Sequence, residues 1–192
     1  MKRLRILIAE DEALVAMGLE SMLKNLGHDV VGKAKNGAEA VEIADKKNPD
    51  LAIFDIKMPD MDGLTAARSM LSDTPIPIII LSAYSEEEQI KEADDIGVAA
   101  YLTKPVMEST LKPAIALAIS RFGELQELKK EVGTLKEALE TRKLVERAKG
   151  IIMKKQGLSE DEAFRLLQRQ SSKRNVKMAE LAGMVIEASD FL

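Results

Sequence analysis

The sequence predicts a doubly wound α/β domain with a five-stranded parallel sheet, followed by a long helical connector and a small three-helix all-α domain. Over the first 120 residues, short apolar runs alternate with stretches of helical spacing. Polar and charged residues stand at the carboxyl ends of those runs. Beyond Ala114, apolar residues recur only at helical spacing.

The strand-like runs are Leu4–Ala9, Asp29–Ala34, Leu51–Phe54, Ile76–Leu81 and Ala99–Leu102. Leu51–Phe54 has no polar break, as expected of a strand buried on both faces. Between the first two runs, Leu19, Met22, Leu23 and Leu26 form one helical face, which Gly27 stops. His28, the sole histidine, follows that turn and is expected at the surface. Asn36, with Glu39 three residues on, starts a second helix. Gly63 opens a third, through about Leu71, and a Glu-rich fourth runs from Ser85 to Ile96 before Gly97. An alternating βα order implies right-handed crossovers with helices on both faces of the sheet.

Composition narrows the chemistry. The chain has 192 residues, 46% hydrophobic but only 3% aromatic, so its cores are aliphatic. The absence of cysteine excludes disulfides, thiolate metal sites and a thiol nucleophile, and fits a reducing cytoplasm. No signal peptide is expected, and no run approaches the ~18 apolar residues of a membrane span. Net charge is −4, unevenly spread. Residues 1–120 carry 13 basic and 20 acidic side chains, net −7, whereas residues 142–177 carry 11 and 4, net +7. The basic stretch suits an anionic partner or a solvated helix face.

Glu10 and Asp11 follow the first strand, Asp55 ends the third, Ser82 the fourth and Lys104 the fifth. In a parallel sheet these positions share one edge, where such sheets place their ligands. Clustered carboxylates repel one another unless a cation joins them, and all-oxygen ligation suits Mg²⁺. A hydroxyl and an ammonium opposite the acids suit a tetrahedral oxyanion. The residues therefore point to phosphoryl transfer onto Asp55, with Lys104 and Ser82 meeting phosphoryl oxygens.

These residues, together with Met58-Pro59-Asp60-Met61-Asp62-Gly63 and Tyr101-Leu102-Thr103-Lys104-Pro105, resemble the receiver domain of two-component response regulators. The resemblance covers about residues 4–120, within a receiver domain of residues 1–120, and implies a flavodoxin-like fold, with Asp55 as phosphoacceptor. It implies Asp11 and Asp55 as direct Mg²⁺ ligands, Glu10 acting mostly through water, and the Lys57 carbonyl completing the set. It further implies that Ser82 and Tyr101 form the switch pair, that the Lys104–Pro105 bond is cis, and that a sensor histidine kinase supplies the phosphoryl group.

Residues 121–141 form the connector. Leu125, Leu128, Val132, Leu135 and Leu139 step by three and four, a short heptad seam that suits a parallel dimer or, alternatively, packing back on its own chain, with the dimer favoured. Gly123 and Gly133 weaken it, and Gly123 is a candidate hinge. In residues 142–192, Leu144, Val145, Ala148, Ile151 and Ile152 continue an apolar face to Gly157. Ser159 with Glu162 forms a capping box, and Asn175 is expected to cap the last helix. Phe164 is expected near the centre of the bundle, ringed by cations including Lys149.

The stretch Arg142–Met153, with Ala148-Lys149-Gly150, followed by Gly157–Phe164 and Leu181-Ala182, resembles the ANTAR antiterminator domain. That resemblance implies binding of paired stem–loops in nascent messenger RNA. Candidate contacts are Ala148, Lys149, Gly150, Lys154, Arg165, Arg169 and Arg174. Small residues at 148 and 150 fit either close approach of a partner or tight helix packing. The expectation is thus a cytoplasmic, phosphorylation-controlled, RNA-binding regulator that dimerises, and not an enzyme. The alternative is a phosphorylation-switched module docking an acidic protein.

Overall fold

The computed structural model describes residues 2–83 and 87–190. Residue contacts divide the chain into two units, Met1–Gln126 and Glu127–Leu192.

The first unit is a five-stranded parallel sheet of β1 (Arg5–Ala9), β2 (Asp29–Ala34), β3 (Leu51–Asp55), β4 (Ile78–Ser82) and β5 (Ala100–Thr103), in the order β2-β1-β3-β4-β5. Its helices are α1 (Ala13–Asn25), α2 (Gly37–Lys47), α3 (Gly63–Asp73), α4 (Glu87–Ile96) and the first part of α5 (Glu108–Gln156). Ser85, the expected start of the fourth helix, lies outside the described residues.

Alternation along the strands sends side chains to opposite faces. Leu7, Ala52, Phe54, Ile78 and Ile80 pack with Ala40, Leu64, Ala67 and Met70 of α2 and α3. Ile6, Ile8, Ile53, Ile79 and Leu81 pack with Leu19 and Leu23 of α1 and Leu111, Ile115 and Ala118 of α5. Both faces are covered, which explains why the strands read as unbroken apolar runs.

Local signals end the helices as the sequence suggests. Asn36 Oδ1 accepts the Glu39 amide at 2.8 Å, while Glu39 Oε2 accepts the Lys35 amide at 2.8 Å. Gly27 and Gly97 take φ +84° and +86°. His28 departs from expectation: it is 4% exposed, and its Nδ1 accepts the Leu4 amide at 3.3 Å. A backbone donor just ahead of β1 thus draws the ring inward, and burial lowers its pKa.

In the second unit, the end of α5 packs with α6 (Glu160–Arg174) and α7 (Met178–Asp190). Its core is Val145, Ala148, Ile152, Ala163, Leu167, Leu181, Ala182 and Ile186. The Ser159 and Glu162 capping box is formed. Asn175 does not cap α7; it ends α6 in the left-handed conformation at φ 54°, which asparagine tolerates better than most residues. Phe164 is 40% exposed and not central, because Ala163 and Leu167 take the inward positions of α6. The helix α5 runs through Gly123 and Gly133, so the candidate hinge residue Gly123 is helical, and Gly157 (φ +64°) follows its end. Leu125, Leu128, Val132, Leu135 and Leu139 stay 40 to 62% exposed.

Candidate functional site

Because β1 and β3 are neighbours, with β2 beyond one and β4 beyond the other, the chain opens a crevice at their carboxyl ends. Glu10 and Asp11 follow β1, and Asp55 is the last residue of β3. Ligand oxygens of these three carboxylates lie within 4.8 Å of one another. Glu10 is 2% and Asp55 7% exposed, whereas Asp11 faces solvent.

Lys104, directly after β5, enters this cluster. Its Nζ lies 2.8 Å from Glu10 Oε2 and 2.9 Å from Asp55 Oδ2. Burial pushes the Glu10 carboxyl up; Lys104 offsets part of that, and the Asp55 charge adds to it. Burial also opposes the charge on Lys104, but its bonds to Glu10 and Asp55 outweigh this and hold its pKa raised. Glu10 Oε2 is buried without a well-aligned hydrogen bond, so the ion pair alone meets it.

Three carboxylates against one ammonium leave a formal −2, the charge a divalent cation cancels. The donors are hard oxygens, one of them exposed to solvent, as an ion that keeps waters requires. The residues therefore fit Mg²⁺. Beside them lies an open cavity of about 500 Å³ lined by Asp11, Lys57, Met58, Pro59, Asp62 and Glu92.

Ser82 ends β4, 3% exposed, and its carbonyl accepts the Lys104 amide at 2.9 Å. The Lys104–Pro105 bond is cis. Tyr101, on β5, is 36% exposed. Lys57 lies in the loop after β3 with its side chain exposed.

Gly63 positions the acid, a role its place in the sequence does not reveal. A Cβ there would lie 2.0 Å from the Asp55 carbonyl oxygen. Its amide donates to the Ile56 carbonyl at 2.9 Å, and Asp62 caps α3 by accepting the Thr65 amide at 2.7 Å. Only glycine lets α3 begin against the strand end that carries Asp55.

In the second unit, Lys154, Arg165, Arg169 and Arg174 are exposed. Lys149 does not belong to the exposed ring of cations. It is 6% exposed, its Nζ 2.9 Å from both Glu146 oxygens and 2.7 Å from Glu160 Oε1. Hydrogen bonds to Glu160 and then Glu146 raise its pKa. The spacing of Glu146 to Lys149 signalled the first pair, but the link to Glu160 depends on the fold. Ala148 is wholly buried, so of the two small residues it serves helix packing. Gly150 has open space where a side chain would stand.

Residues 6–116 match the response regulator receiver domain family, and residues 133–186 match the ANTAR domain family. The chain is 49% identical over 183 residues to the transcriptional regulatory protein PdtaR of Mycobacterium tuberculosis, covering 95% of this chain and 89% of that one. It is 36% identical over 145 residues to a protein-glutamate methylesterase/protein-glutamine glutaminase of Archaeoglobus fulgidus, but spans only 42% of that protein. Among solved structures, the receiver domain of a modulated diguanylate cyclase from Desulfovibrio desulfuricans matches with a TM-score of 0.60 at 34% identity, covering 64% of this chain and 98% of that one. The receiver domain of the response regulator NarL from Mycobacterium tuberculosis matches with a TM-score of 0.57 at 29% identity, covering 62% and 98%.

Proposed function

The chain belongs to the response regulators that join a receiver domain to an ANTAR domain, and on that premise we propose that phosphorylation of Asp55 controls RNA stem–loop binding by the C-terminal unit. It acts as an RNA-binding regulator of transcription antitermination and not as an enzyme. The observation that carries the proposal is Asp55 itself: a carboxylate 7% exposed at a strand end, with two further acids and an ammonium within reach.

A sensor histidine kinase, or a small phosphodonor, supplies the phosphoryl group. An Asp55 carboxylate oxygen attacks phosphorus, the phosphorus–donor bond breaks, and its electron pair leaves with the donor. The products are an acyl phosphate and the freed donor. Glu10, Asp11, Asp55 and the Lys57 carbonyl would hold Mg²⁺, which when bound shields the repulsion between acid and phosphate. Lys104 is drawn from Asp55 to a phosphoryl oxygen, and the Ser82 hydroxyl donates to another. Tyr101, now partly exposed, turns inward as Ser82 moves, which biases the receiver toward one of two states.

The output is association. The exposed apolar residues from Leu125 to Leu139 suit a parallel pairing of two copies, and two modules suit paired stem–loops. Exposed Lys154, Arg165, Arg169 and Arg174 provide phosphate contacts, while loop bases are read individually. Among the described residues no helix is long and apolar enough to cross a membrane.

Acetyl phosphate with Mg²⁺ should add one phosphoryl group by mass and strengthen hairpin binding, and Asp55→Asn should lose both effects. Equal stimulation in the variant overturns the mechanism. Affinity that is flat against salt would point to the alternative, an acidic protein partner docking without counterion release.

A further inference from the structure

Phe164 is the only aromatic among the described residues of the C-terminal unit, and the bundle leaves it at the surface while filling its core with aliphatic side chains. Its position is preset. The Lys149 ammonium stands over the ring, 6.0 Å from the centroid, and Glu146 and Glu160 fix that ammonium in turn. A cation over one face restrains the ring and leaves it partly exposed, which lowers the ordering cost of receiving a partner.

The charges nearby select what such a ring can receive. Glu146 and Glu160 against Lys149 leave a formal −1 around the ammonium that stands over the ring, and Asp161 lies three residues before Phe164 on α6. A phosphate is disfavoured there. The exposed cations Arg165, Arg169 and Arg174 lie further along the same helix and suit phosphate contacts instead.

We infer that Phe164 is a stacking platform for one unpaired nucleobase of the bound RNA loop. The carboxylates around the Lys149 ammonium accept from an exocyclic amino group, which favours adenine, guanine or cytosine over uracil. This rests on the RNA-binding reading above and adds to it a specific base contact.

The test uses the full chain, with and without acetyl phosphate, and a pool of RNA hairpins with randomised loops, from which the tightest hairpin is taken. Each of its loop positions is then made abasic in turn, and a perfect RNA duplex of equal length serves as control. Phe164→Leu should weaken hairpin binding by about tenfold or more while leaving duplex affinity and the salt dependence unchanged. Phe164→Tyr should retain wild-type affinity. One abasic position should cost the wild type what it no longer costs Phe164→Leu, and uracil there should bind less well than the amino-bearing bases. Equal hairpin affinity in Phe164→Leu, with its helical circular dichroism intact, overturns the inference and leaves RNA binding standing. A change in the RNA-free oligomeric state without a change in hairpin affinity also overturns it, by making the ring a protein contact. If Phe164→Leu does not fold, photocrosslinking of halogenated loop bases to the wild type decides, and a map without Phe164 is fatal. A wild type that binds neither hairpin nor duplex defeats the RNA reading and this inference together.

Discussion

Each unit holds a lysine between two carboxylates, and the two arrangements are opposites. In the receiver, Lys104 is 22% exposed while its partners Glu10 and Asp55 are 0% and 10% exposed in their side chains. In the bundle, Lys149 is 8% exposed while Glu146 and Glu160 are 54% and 67% exposed. A buried acid carries a desolvation cost that any suitable cation can relieve, so the receiver cluster can exchange partners. A buried lysine flanked by solvated acids has nothing to gain from a metal or a phosphoryl group. The first arrangement suits a site that reacts, the second a clamp between α5 and α6.

The largest expected effect comes from displacing the buried acids. Gly63→Ala places a methyl group against the Asp55 carbonyl, so the receiver should lose about 3 kcal/mol of stability and accept phosphate poorly. Hydrogen exchange of β3 amides and phosphorylation by acetyl phosphate measure the two losses. Next in size, Lys104→Ala should cost about 2 kcal/mol after allowance for its partial exposure. Added Mg²⁺ should restore more stability to this variant than it adds to the wild type, because the ion takes the place of the missing ammonium. An equal Mg²⁺ response in both would break the contrast between exchangeable site and clamp.

Lys149→Ala should loosen α6, seen as faster hydrogen exchange in the bundle, by less than Lys104→Ala loosens the receiver. Mg²⁺ should not reverse it. The smallest effect belongs to the mirror arrangement on the receiver surface, where Glu20 sits 2.7 Å from both Lys24 and Lys33. Hydrogen bonds from Lys24 and Lys33 bring the Glu20 carboxyl from 4.5 down to about 2. A carboxyl depressed by folding stabilises above its unfolded pKa and loses that contribution as pH falls from about 4.5 toward about 2. Glu20→Gln should therefore flatten the acid limb of unfolding in that window and change little at neutral pH.

The two units also differ in how much of each was legible in the sequence. The receiver strands are buried on both faces, so their apolar runs stand out, and a parallel sheet puts Glu10, Asp11, Asp55, Ser82 and Lys104 at one edge whatever the packing details. In the bundle, side-chain direction depends on helical phase. Ala163, Phe164 and Leu167 admit more than one inward face, and alanine gives a weak hydrophobic signal, so Phe164 reads as core although Ala163 holds that place. Lys149 reads as one more cation because its second partner, Glu160, is eleven residues away. His28 reads as a surface turn because the amide it accepts, from Leu4, is distant in sequence. Gly63 shows a helix start, but its closeness to Asp55 is a tertiary fact.

The helix α5 supplies Leu111, Ala114, Ile115 and Ala118 to one core and Val145, Ala148 and Ile152 to the other, and no residue from Ile119 to Leu144 belongs to either. That intervening rod answers to no interior packing requirement, so its span is free to vary by insertion or deletion without unfolding what lies at either end. Natural drift or deliberate redesign can therefore adjust it as a spacer, limited only by the demands of a partner.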